Sequence, residues 1–182
     1  MKNLMVDIET LGTRPGCIIL SVSAVEFNVD DITSYMFDMP VDPRSCELLG
    51  LKTSIDTVMW WMKQDQKARD RVADGGVDIK RVLELFSSSW GPWKDTRIWC
   101  NGASFDFPIL TAAYEAAGMQ APWPYYNERC YRTMKGGVPR DAYDKCLIPP
   151  AVAHNALYDA ISQARTLISM VKAGLLPMSL ID

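Results

Sequence analysis

In an extended chain Val6 and Ile8 face one way while Asp7 and Glu9 face the other. That period of two predicts a strand over residues 3–9. Residues 17–28, rich in β-branched and apolar side chains, and residues 33–40 predict two more strands, with Gly12, Pro15 and Gly16 turning the chain between the first pair. Three strands joined by short connections imply an antiparallel meander. The period then lengthens. Thr53-Ser54-Ile55-Asp56 offers a capping-box-like start for a helix through Val58, Trp61 and Met62, and Ile79, Val82, Leu83 and Phe86 repeat at helical spacing after Asp78. Residues 97–101 predict a short strand, followed by a helix through Leu110, Ala113 and Tyr114 that stops at Gly118. A strand near 128–130 and a Gly/Pro-rich loop over 136–152 lead to a last helix. There Leu157, Ala160, Ile161, Ala164, Ile168 and Val171 form a continuous apolar stripe. The pattern is that of a mixed α/β domain.

At 182 residues the chain suits one core better than two, so residues 1–182 are expected to form a single domain. Hydrophobic residues at 48% and charged residues at 23% are globular usage, so disorder is expected only in loops. No apolar run approaches the ~20 residues that a membrane helix needs, because Lys172 interrupts the last long candidate. The start, Met1-Lys2-Asn3-Leu4, runs straight into a strand. These features predict a soluble, cytoplasmic protein that does not engage a membrane. Cys17, Cys46, Cys100, Cys130 and Cys146 are odd in number and nowhere form Cys-x-x-Cys, which suits free thiols in a reducing compartment better than a zinc site. The net charge of −3 argues against gripping nucleic acid by bulk positive potential alone. Locally the balance differs: Arg129, Arg132, Lys135, Arg140 and Lys145 stand against only Asp141 and Asp144, a segment able to hold a phosphate backbone.

Two acids on one strand face are costly to desolvate unless a cation bridges them, and an oxygen-only donor set suits Mg²⁺ or Mn²⁺. The alternative for Asp7 and Glu9 is a solvated edge. Asp106 ends the run Asn101-Gly102-Ala103-Ser104-Phe105-Asp106 near the start of a helix, where an acid also complements the helix dipole. Asp159 lies beside the apolar stripe and wants a partner there; a metal would serve. His154, the only histidine, precedes Asp159 by five residues. On one ideal helix they would stand roughly 140° apart, so His154 is expected to lie just before the helix, with Asn155 as N-cap. From the end of the loop its imidazole is suited to take a proton from an attacking water. Four carboxylates and one imidazole are the groups that two-metal phosphodiester hydrolysis asks for, with the ions ~3.5–4 Å apart and Asp7 the first choice to bridge them.

These segments resemble the DEDDh 3′–5′ exonucleases of the DnaQ-like, ribonuclease H-like superfamily. Asp7-Ile8-Glu9-Thr10 resembles the first motif, Asn101 with Phe105-Asp106 the second, and His154-x-Ala156-x-x-Asp159-Ala160 the third. Val58-Met59-Trp60-Trp61-Met62-Lys63-Gln64 and Arg129-Cys130-Tyr131-Arg132-Thr133 are similar to a bacterial and phage branch that includes a mycobacterial-type exoribonuclease and a phage exonuclease acting on single-stranded DNA. The resemblance implies a ribonuclease H-like sheet flanked by helices, two Mg²⁺ or Mn²⁺ ions on Asp7, Glu9, Asp106 and Asp159, His154 as general base, and a homodimer. Cys130-Tyr131 departs from the branch, which usually has an acidic and an aliphatic residue there.

The expected substrate is the 3′ end of single-stranded RNA or DNA. Thr10 and Leu11 follow the acid pair and are expected to meet the terminal sugar and base, with Asn101 alongside. Phe105 offers a ring for stacking. Trp60 and Trp61 point about 100° apart on one helix, so one belongs to the core and the other, with Trp61 as first choice, to the substrate. Arg129 and Arg132 are candidate phosphate ligands. The competing function is a nucleic-acid-binding module that keeps the fold without catalysis, although none of the five chemical residues is missing.

Overall fold

A computed structural model describes residues 1–73 and 75–182. The alternating N-terminal segment is β1 (Lys2–Thr10), paired antiparallel with β2 (Ile19–Phe27), which pairs antiparallel with β3 (Ile32–Pro40). On the other side β1 runs parallel to β4 (Thr96–Cys100), and β4 parallel to β5 (Glu128–Cys130). The order β3-β2-β1-β4-β5 puts β1 at the centre of a mixed sheet. Its register with β2 shifts between Glu9 and Thr10, the kind of irregularity that re-aims side chains at a strand end.

Helices cover both faces: α1 (Pro43–Leu48), α2 (Ile55–Trp61), α3 (Gln66–Ala73), α4 (Ile79–Ser89), α5 (Asp106–Ala116), α6 (Tyr131–Gly136), α7 (Arg140–Cys146) and α8 (Ala156–Lys172). Leu4, Val6 and Ile8 of β1 belong to a core with Val82, Leu83 and Phe86 of α4 and Leu110, Ala113 and Tyr114 of α5. Met5 belongs instead to a second core with Trp99, Leu167, Ile168 and Val171. The pleat of β1 therefore separates the two apolar layers. On α8, Ala160 and Ala164 are wholly buried, and their small side chains let the helix lie close over β1 and β2. Asp78 caps α4 by accepting from the amides of Lys80 and Arg81, and Asn155 caps α8 by accepting from the amide of Tyr158.

Some local expectations are corrected. The helix expected from a capping box at Thr53 has Ser54 at its N-cap, with no side-chain hydrogen bond there. The loop expected over 136–152 contains α7, whose sequence RDAYDKC buries only Cys146 and so carries no apolar period. Helices α1 and α3, six and eight residues long, are likewise too short to show a stripe. The second strand starts at Ile19 rather than at 17, because Cys17 pairs with Lys52 in an isolated bridge outside the sheet. All five cysteines are free thiols. Among the described residues no helix is long and apolar enough to cross a membrane.

Candidate active site

The face of β1 that carries Met5 also carries Asp7 and Glu9, so both acids point toward α8, whose first turn supplies Asp159. One oxygen from each of Asp7, Glu9 and Asp159 lies within 4.8 Å of the others. Asp106, 2% exposed, opens α5 just beyond β4, the parallel neighbour of β1. The cluster thus sits at the carboxyl ends of two parallel strands, where open α/β sheets form their ligand crevice.

Crowding shows in the acidities. Burial, then the charges of Asp106, Glu9 and Asp159, hold the Asp7 carboxyl well above its ordinary range, against a hydrogen bond from Gln163. Glu9 is pushed up to about 8 by burial and by Asp159 and Asp106. Asp106 is pushed up to about 7 by burial, while its own amide, the Cys100 thiol, the Arg132 guanidinium and the Ile8 amide favour its charged form. Burial also raises Asp159, with the charge and amide of His154 opposing it. Like charges this close resist ionising together unless a cation is shared. An all-oxygen donor set in this state fits hard divalent ions.

His154 precedes the N-cap of α8 with φ 59°, in the left-handed region that few non-glycine residues adopt. From that turn both the charge and the backbone amide of His154 act on Asp159. The ring packs edge-on against Trp60, centroids 4.8 Å apart, and against Trp61 at 6.5 Å.

Beside Glu9 a cleft of about 410 Å³ is lined by residues including Thr10, Gly12, Ser54, Trp60, Trp61 and Phe105. Gly12 is needed at the turn after β1, since a Cβ there would stand 2.6 Å from that of Cys17. Thr10 and Phe105 line this cleft, and the Thr10 hydroxyl donates to the Gly12 carbonyl at 2.6 Å. The two tryptophans divide, although both line the cleft. Trp61 is 6% exposed and donates its indole N–H to the Thr10 carbonyl at 2.9 Å, whereas Trp60 is 41% exposed. Trp61 builds the wall; Trp60 presents the more exposed ring. Leu11 does not line the cleft: its amide donates to the Ile18 carbonyl, its carbonyl accepts from Ser54, and its side chain packs on the core.

The two arginines divide. Arg132 lies near enough to favour the Asp106 charge, and Gly102, at φ 148°, leaves room for its guanidinium, which a Cβ would approach to 3.4 Å. Arg129 instead donates to the carbonyls of Tyr126 and Glu128, both at 2.8 Å. Asn101 keeps a buried side-chain oxygen with no partner among the described residues. Sequence reasoning missed Gln163, whose amide donates to Asp7 at 2.8 Å. Its signal was a polar residue one helical turn after Asp159, between the apolar-stripe positions Ala160 and Ala164.

With three of these acids gathered at one end of a mixed sheet, the chain has the fold of a DEDDh-family nuclease domain. It belongs to the 3′-5′ exoribonuclease Rv2179c-like domain family, whose pattern matches residues 2–171. An exodeoxyribonuclease of Enterobacteria phage T4 is 27% identical over 125 residues, 60% of this chain, and the match spans 54% of that relative's length. The fold is shared with the nuclease domain of 3′hExo, a DEDDh family member solved with rAMP bound (TM-score 0.64, 16% identity, 95% of this chain and 92% of that one). It is shared also with Pop2p of S. pombe, solved with Mg²⁺ and Mn²⁺ (TM-score 0.66, 13% identity, 93% and 82%).

Proposed function

We propose that the chain is a metal-dependent exonuclease that removes nucleoside 5′-monophosphates from the 3′ end of single-stranded RNA or DNA. The observation that carries this reading is the meeting of Asp7, Glu9 and Asp159 within 4.8 Å, with Asp106 acting on the same group of charges. Asp7, Glu9, Asp106 and Asp159 would hold two Mg²⁺ or Mn²⁺ ions, and Asp7 feels all three other carboxylates. When bound, the ions supply Lewis acidity at the scissile phosphodiester and offset the charge that builds on its oxygens.

The remaining steps belong to the chain. His154 takes a proton from the attacking water, from a position fixed by the Asn155 cap and the Trp60 ring. Trp60 and Phe105 offer aromatic faces to the terminal bases across the cleft. Arg132 meets phosphate charge beside Asp106. The family description, the name of the phage relative, the rAMP held by 3′hExo and the metals of Pop2p all support this assignment.

A 5′-labelled single strand incubated with Mg²⁺ or Mn²⁺ should shorten from its 3′ end in one-nucleotide steps, and chelation should stop it. Matched RNA and DNA oligonucleotides, run side by side, measure the sugar preference. Asp106→Ala should abolish shortening with the fold retained; full activity in that variant defeats the assignment.

A further inference from the structure

We infer that Gln163 is a positioning residue for the metal site, its side-chain amide fixing the orientation in which Asp7 meets the divalent ions. The inference rests on reading the four acids as metal ligands. Gln163 lies four residues after Asp159 on α8, so one helix face presents both to β1. It is 7% exposed, and its Nε2 donates to Asp7 Oδ1 at 2.8 Å. A carboxylate only accepts, so the amide must turn its N–H toward Asp7. One Asp7 oxygen is thereby engaged, and the carboxylate plane is set before any ion arrives.

The orientation has a cost that packing does not explain. Gln163 Oε1 is buried with no hydrogen-bond partner among the described residues. Its neighbours on α8, Ala160, Ala164 and Leu167, are wholly buried and apolar. For stability alone an apolar side chain would serve better here, since an unpartnered buried oxygen loses its hydration without return. The gain lies at Asp7. Hydrogen bonds that orient a metal ligand typically change metal affinity by about 10–100-fold.

Mn²⁺ binding to the whole chain, followed by titration calorimetry, tests this together with the Tm of the metal-free protein. Gln163→Met should weaken Mn²⁺ binding about 10–100-fold while leaving the metal-free Tm unchanged or higher. Gln163→Leu, which also lacks the N–H and adds no metal-binding oxygen, should weaken it as well. Wild-type Mn²⁺ affinity in either variant overturns the inference. So does a lowered metal-free Tm with unchanged affinity, or failure of both variants to fold, because each marks a packing residue. If the wild-type chain itself took up no Mn²⁺, the metal-site reading would fall instead, a result distinguishable from these.

Discussion

The ring of Trp60 stands edge-on to the imidazole of His154, at 83° and 4.8 Å between centroids. A helix following β2 and β3 in the chain thus braces a residue at the start of the last helix. The contact matters because His154 hangs from a turn and needs a wall to hold its orientation. Aromatic pairs of this geometry contribute about 0.5–1.5 kcal/mol, so Trp60→Ala should lower kcat by about 2- to 10-fold. Trp60→Phe should retain most of it. Steady-state kinetics on a single-stranded oligonucleotide checks both.

At His154 the backbone and the side chain make separate demands. The left-handed φ costs any residue with a Cβ about 1–2 kcal/mol, which glycine does not bear. His154→Gly should therefore be at least as stable as His154→Ala in urea unfolding. Both should lose roughly 10²–10⁴-fold in turnover, the usual reach of a general base. Mn²⁺ affinity should survive in both, and its disappearance would make the histidine a ligand.

The raised carboxyls give the metal-free protein a pH signature. Glu9 titrates near 8 in the fold against 4.5 ordinarily, so over that interval the folded state holds a proton that the unfolded chain has released. Stability is full below about 4.5 and falls as pH rises toward 8. Divalent ions need the charged carboxylates, so their stabilisation should grow over the same interval. Thermal melts from pH 5 to 8, with and without saturating Mn²⁺, should diverge as pH increases.

Trp61 makes a structural prediction. Trp61→Phe keeps an aromatic ring in the core but leaves the Thr10 carbonyl without its indole donor. The expected loss is about 1–3 kcal/mol in urea unfolding. Mn²⁺ affinity, set by the carboxylates, should change much less.

Legibility in the sequence followed the strength of the local period. Asp7 and Glu9 were readable because a strand sends alternate residues to one face, and Asn155 because a polar residue preceded a long stripe. Helix α7 was not, since seven mostly exposed residues carry no stripe. The tryptophan pair shows a different limit. A helical wheel separates Trp60 from Trp61 but does not say which one meets the Thr10 carbonyl; that depends on how α2 lies on β1. Gln163 was hidden for a related reason: its partner, Asp7, is 156 residues away in the chain.

The central claim is that acids from β1, α5 and α8 share divalent cations. Crystals soaked in Mn²⁺ and measured at the manganese absorption edge test it most directly. The account predicts two anomalous peaks among Asp7, Glu9, Asp106 and Asp159, with Asp7 touching both. Manganese bound only elsewhere, or absent from these four carboxylates at saturating concentration, would contradict it.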